Sequence, residues 1–185
     1  MFMIDPYRFE NQEGGLGQGG NWGAELGNLT FWTVISGNPQ VRANQPARHP
    51  PEGVAIFDGG TSSSSIMEQE IDLSLVPSLD LGDVDAGLMN VRVMWWGGTF
   101  DQSTDDQPQL HIRFEDSDGA TISTYSSGYK NPTTLVGNMR WTEYTEFTDI
   151  PATTRYVVIR CEMKRNTGTN NDAAFDDIRV SFEAD

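Results

Sequence analysis

Leu110-His111-Ile112-Arg113-Phe114-Glu115-Asp116-Ser117-Asp118-Gly119-Ala120-Thr121-Ile122-Ser123 decides the fold class. Leu110, Ile112 and Phe114 alternate with His111 and Arg113. That is the period of a strand with one face on a core and the other in water. Asp116-Ser117-Asp118-Gly119 is turn chemistry, and Ala120 to Ser123 resumes an extended pattern.

The same grammar runs outward in both directions. Gly53-Val54-Ala55-Ile56-Phe57 reads as a strand stopped by Asp58-Gly59-Gly60. Gln69, Ile71 and Leu73 share one face of another. Val91-Arg92-Val93-Met94-Trp95-Trp96 is expected to end at Gly97-Gly98. Trp141 to Ile150, Tyr156 to Met163 and Asp177 to Phe182 complete about eight strands. Residues 74–87 have room for a short helical turn, and helical periodicity is otherwise absent. The prediction is an all-β protein, a two-sheet antiparallel β-sandwich of jelly-roll type. Trp32 and Trp95 are assigned to its core, with Trp96 on the opposite face from Trp95.

The chain has 185 residues, enough for one well-buried core. Its net charge of −15 repels phosphate backbones, so nucleic acid is a poor partner. The acid is scattered among plentiful aromatics, which argues against disorder. It suits simple solubility and it suits divalent-cation binding. The single cysteine, Cys161, permits no internal disulfide and shares a face with Val157, Ile159 and Met163. No apolar stretch is long enough to insert in a bilayer. Met1 to Pro6 lacks the features of a signal peptide, which leads us to expect synthesis in the cytoplasm.

Residues 1–20 differ from residues 21–185, which carry the sandwich pattern. Phe2, Ile4, Tyr7 and Phe9 precede a glycine-rich tract, Gly14 to Gly20. A tract of this kind is a tether and cannot fold alone, so the aromatic stretch reads as a docking arm gripping its own domain or another subunit.

Two end segments carry candidate chemistry. Ile178, Val180 and Phe182 share a face, and period two places Asp176 on that inward face as well. An inward carboxylate is costly unless paired or bound to metal. Glu25 precedes the first apolar stretch, and its flanking glycines, Gly23 among them, leave carbonyls available. If the end strands are neighbours, Glu25 and Asp176 converge on an oxygen site of the kind Ca²⁺ takes, with Asp58, Gly59 and Asp177 as further donors. The same residues also suit an N-terminal turn and a strand cap.

Asn21-Trp22-Gly23-Ala24-Glu25-Leu26-Gly27-Asn28-Leu29-Thr30-Phe31-Trp32-Thr33 resembles the opening of galactose-binding-like β-sandwich domains, relatives of jelly-roll carbohydrate-binding modules. The resemblance continues through Pro51-Glu52-Gly53, Phe57 to Gly60, Gln69 to Ser74, Phe114 to Gly119, Ile150 to Tyr156 and Gly168 to Asp176. It spans roughly residues 21 to 183, with Trp22 standing where the family often has proline. It implies a structural calcium between Glu25 and Asp176. Such domains recur in phage virion proteins and as accessory modules of secreted hydrolases. The opening Asp5-Pro6-Tyr7-Arg8-Phe9 is similar to the docking arms of some phage fibre proteins. The resemblance therefore implies a virion protein that oligomerises in the particle. Its partners would be other virion proteins, through the arm, and host surface glycan.

A glycan site needs an aromatic platform ringed by polar groups. The candidates are Trp96, Tyr125, Tyr129 and Trp141, with Arg92, Asp105, Asp106 and Asn138 as hydrogen-bonding neighbours. Each aromatic also suits core or subunit packing. His49 lies in a proline-flanked loop and His111 on the water side of its strand. No Ser-His-Asp ordering, HExxH or zinc pattern accompanies them, so the expectation is a non-enzymatic protein.

Overall fold

The alternation around Leu110 is the middle of strand β6 (Gln107–Glu115). A computed structural model of the chain describes residues 21–43, 50–51, 53–77 and 79–184. The arm residues Phe2, Ile4, Tyr7 and Phe9, and His49, lie outside the described residues. The other strands before the midpoint are β1 (Thr33–Ser36), β2 (Gln40–Ala43), β3 (Ala55–Asp58), β4 (Ser64–Asp72) and β5 (Met89–Phe100). After it come β7 (Thr121–Ser126), β8 (Thr134–Val136), β9 (Met139–Asp149), β10 (Tyr156–Lys164) and β11 (Ala174–Ala184). A 3-10 turn (Leu73–Leu75) and a one-turn helix α1 (Leu81–Asp85) fill the expected helical stretch. Each starts on an aspartate, Asp72 and Asp80, whose side chain accepts a backbone N–H of the turn it caps. Among the described residues no helix is long and apolar enough to cross a membrane.

The strands form two antiparallel sheets. The back sheet runs β1-β4-β10-β6-β7 and the front sheet β2-β3-β11-β5-β9-β8. The first strand therefore lies at the edge of one sheet while the last sits inside the other. Strand alternation sends Met67, Leu110, Ile112, Phe114, Val157, Ile159, Cys161 and Met163 inward from the back sheet. Phe57, Val91, Val93, Trp95, Phe175, Ile178, Val180 and Phe182 meet them from the front. Trp95 is completely buried, stacked on Phe175 at 4.8 Å between ring centroids, and Trp32 packs edge-on against Phe57 at 5.4 Å. Burial pushes the Cys161 thiol well above its usual range, which makes it an inert core residue.

Three expectations need correction. Gly97 and Gly98 do not end β5; the strand continues to Phe100. The glycines are there because rings lie on them. A Cβ on Gly97 would fall 2.8 Å from Trp95 Cζ3, and one on Gly98 2.4 Å from Trp141 Cζ3. Secondly, the described residues form eleven strands rather than about eight. The extra ones, β1, β2 and β8, are edge or near-edge strands of three or four residues without a buried face to pattern them.

Thirdly, Asp176 does not share the face of Ile178, Val180 and Phe182. The β11–β5 register slips between Asp176 and Arg179, and Asp177 adopts φ 43°. A bulge of this kind reverses the side-chain parity. Phe175 and Ile178 both reach the core across it, so Asp176 joins Ala174 on the outer face, opposite Trp96.

Candidate functional face

The outer face of the front sheet is built by the alternation that fills the core. On β5, Arg92, Met94, Trp96, Gly98 and Phe100 point outward, and on β9 their partners are Phe147, Thr145, Glu143, Trp141 and Met139. On β11 the outward residues are Ala174, Asp176, Arg179, Ser181 and Glu183. Trp96 thus stands between Asp176 and Glu143. Above it, the Trp141 ring lies over the bare backbone of Gly98. Ile56, Met139, Trp141 and Ala174 form a small second apolar cluster, with half-buried Trp96 and Phe100 against it.

The charged groups of this face come in pairs. Arg42 Nε lies 3.0 Å from Asp58 Oδ2, and Gly60 N donates to Asp58 Oδ1. Arg179 pairs with Asp177 and reaches Glu143 at 3.8 Å. Arg92 binds Glu183 at 2.9 Å, and its guanidinium sits 5.5 Å from the Phe147 ring centroid. Phe147 is 49% exposed although it stands in mid-strand.

Of the four predicted platform residues, Trp96 and Trp141 come together on this face. Trp141 is 1% exposed, so Trp96 offers the accessible ring of the two. Tyr125 is elsewhere. It points between the sheets, and its hydroxyl donates to Glu146 Oε2 at 2.6 Å. Tyr129 lies beside the back sheet, where its hydroxyl donates to Glu162 and Lys164 sits 4.7 Å from its ring centroid. Among the proposed polar neighbours, only Arg92 belongs to the strip below Trp96. Asp105 is taken by Arg140 at 2.7 Å. Asp106 is buried and accepts the backbone N–H groups of Asn166, Thr167 and Asp172, which anchors that loop. The Asn138 carbonyl accepts Asp101 N. Phe147, Glu143 and Arg179 were missed by sequence reasoning. The parity of Trp141, Glu143, Thr145 and Phe147 along one strand was the available signal.

The predicted calcium donors do not gather as one set. Asp58 is committed to Arg42, and the Gly59 carbonyl accepts Ser65 Oγ. Glu25 Oε1 accepts Val54 N and Ala55 N at 3.0 Å each, clasping the start of β3, and Oε2 accepts Val54 N at 3.2 Å. Gly53 suits this clasp: its φ of +57° disfavours an L side chain, and a Cβ there would sit 2.2 Å from the Glu25 carboxyl carbon. Trp22, next to Gly23, meets the last strand, its carbonyl accepting Ile178 N at 3.0 Å. Among the described residues no group of three or more His, Cys, Asp and Glu side chains converges.

No protein-family model matches the chain, and neither does any curated protein. Solved structures do share its fold. The enzymatically active domain of tailspike protein 4 from bacteriophage CBA120 superposes with a TM-score of 0.59 at 13% identity, over 89% of this chain and 21% of that one. This chain therefore spans about a fifth of that tailspike chain's length. The module TmCBM61, solved with β-1,4-galactotriose, gives a TM-score of 0.52 at 18% identity, over 89% of this chain and 96% of that one. The CBM22-1 xylan-binding domain of Xyn10C from Paenibacillus barcinonensis gives 0.51 at 14% identity, over 89% and 93%. Identities of this size establish the fold alone: a two-sheet antiparallel β-sandwich similar to that of these carbohydrate-binding modules.

Proposed function

We propose that the chain is a non-catalytic glycan-binding domain that uses the outer face of its front sheet. One observation carries the reading. Trp96 is half-buried in mid-sheet, with an apolar cluster on one side and paired acids and arginines on the other. Stacking on such a ring, with hydrogen bonds from fixed charged groups around it, is how a protein face recognises a sugar. Two neighbours of like fold are titled for a bound galactotriose and for xylan binding, which supports the class. Trp96→Ala should weaken binding of the monomer to its best glycan-array ligand by about tenfold or more, a loss of about 1.4 kcal/mol, in a variant that stays folded at the assay temperature although the lost packing lowers its unfolding midpoint. Unchanged binding in that variant would remove the face from consideration.

Its setting, on our reading, is a phage particle. The tailspike neighbour supports this, as does the character of residues 1–20, whose Phe2, Ile4, Tyr7 and Phe9 would dock to other virion proteins. A free-standing carbohydrate-binding module is the alternative. Deleting residues 1–20 should leave glycan binding intact and abolish incorporation into particles; normal incorporation would favour the alternative.

A structural calcium remains part of the proposal in a narrower form, with Glu25, Asp176 and carbonyls near Gly23 as donors and without Asp58 or Gly59. A carboxylate oxygen that accepts an N–H keeps lone-pair capacity for a cation, so the clasp on Val54 and Ala55 is compatible with an ion. Chelation should lower the melting temperature, and Asp176→Ala should abolish that response. A melting curve indifferent to chelator would exclude the ion.

A further inference from the structure

We propose that the binding face is an extended track with a second stacking station at Phe147, and that it takes an uncharged sugar chain longer than a disaccharide. This rests on the glycan-binding reading and adds to it the length and charge class of the ligand. Trp96 pairs in register with Glu143, and Phe147 with Arg92. The two rings are thus four residues apart along one face, about 13 Å at a strand's rise per residue. A disaccharide does not bridge that distance; a tetrasaccharide does. Met94, Thr145 and Arg179 line the interval, side by side in the register, each exposed or half-exposed.

Phe147 is held as a platform would be. The Arg92 guanidinium sits at its ring, and Glu183 holds Arg92 through Nε at 2.9 Å and Nη2 at 3.0 Å. The ring therefore has a fixed neighbour while half of it stays open to solvent. A solitary exposed phenylalanine would need no explanation. This one is oriented by a guanidinium and shares a strip with a half-buried tryptophan.

Charge selects the occupant. The arginines of the strip are already engaged: Arg92 by Glu183, and Arg179 by Asp177 with Glu143 nearby. Asp177, Glu143 and Glu183 outnumber Arg92 and Arg179 along the strip, and the whole chain carries −15. An anionic glycan would find no uncommitted cation among these groups, whereas hydroxyls can both donate to the carboxylates and accept from the guanidinium N–H groups. Two separate rings with Met94, Thr145 and Arg179 between them also fit a sugar chain better than the continuous apolar stripe a helix would need.

The test is titration calorimetry with neutral β-1,4-linked galacto- and xylo-oligosaccharides from dimer to hexamer, alongside galacturonate oligomers of equal length. We expect affinity for one neutral series to rise about tenfold or more between dimer and tetramer. Phe147→Ala should erase that rise, while Phe147→Trp should retain it. Galacturonate oligomers should bind more weakly at every length. Equal affinity at all lengths, an unaffected Phe147→Ala variant, or preference for the acidic series overturns the track while leaving the Trp96 site standing. No binding to any glycan overturns both. Altered self-association of Phe147→Ala in sedimentation, with glycan binding intact, would make the ring a protein contact and also defeats the proposal.

Discussion

Replacing Glu146 by alanine is expected to destabilise the protein by about 1–3 kcal/mol, because it removes the acceptor shared by two half-buried partners. Glu146 pairs with Val93 in register, so its side chain points into the sandwich, where it is 5% exposed. There it accepts the Tyr125 hydroxyl at 2.6 Å and lies 3.1 Å from Lys130 Nζ. The same ammonium sits 5.2 Å from the Tyr144 ring centroid. Tyr125 belongs to the last strand of the back sheet and Glu146 to the front, so the contact fastens the two sheets at their open side. The hydrogen bond to Glu146, together with burial, pushes the Tyr125 phenol up to about 12. The sign follows directly. The neutral phenol is favoured in the folded state, so its contribution is complete below the ordinary tyrosine value and vanishes as pH rises through about 12. Spectrophotometric titration should find a late-ionising tyrosine in the wild type that returns toward its usual range in Glu146→Ala. Tyr125→Phe should remove one late step, leave that of Tyr129, whose phenol burial and its bond to Glu162 also push up to about 12, and cost less, about 0.5–1.5 kcal/mol. An unchanged denaturation midpoint in Glu146→Ala would refute the clasp.

The second large effect is a coupled pair. Trp141→Ala should cost about 3–5 kcal/mol, since it empties the apolar cluster above Trp96. Gly98→Ala should cost about 1–3 kcal/mol by overpacking, because the new methyl would stand 2.4 Å from one Trp141 ring carbon and 2.6 Å from another. The double variant should be no worse than Trp141→Ala alone, with the methyl filling part of the vacated space. The double-mutant cycle should return a coupling of about 1–3 kcal/mol. Simple additivity would mean that the ring does not rest on that glycine.

These two sites also mark where sequence reading stops. Leu110–Phe114 and Val157–Met163 were legible because each strand has one buried and one wet face, so period two is visible. Trp95 and Trp96 separated correctly for the same reason. Parity counting failed at Asp176 because a bulge inserts a residue without changing composition. Gly97-Gly98 read as a stop because a glycine that ends a strand and one that admits a ring look alike in sequence. β1 and β8 went unseen because edge strands exposed throughout carry no alternation. On the outer face of the front sheet, the structure brings together Trp96, which parity sets opposite Trp95, and Trp141, which residue type alone singles out. Tyr125 and Tyr129 lie away from that face, since residue type alone does not say which side of which sheet an aromatic occupies. Phe147 was passed over because its orientation comes from Arg92 on the neighbouring strand, a pairing set by register.

The most direct test of the proposed glycan-binding face is an amide chemical-shift map of the full chain on addition of its best array glycan. The account predicts shifts concentrated on residues 94–98 of β5, 143–147 of β9 and 174–181 of β11, and their disappearance in Trp96→Ala. Shifts centred instead on Tyr129, Glu162 and Lys164 of the back sheet would contradict it.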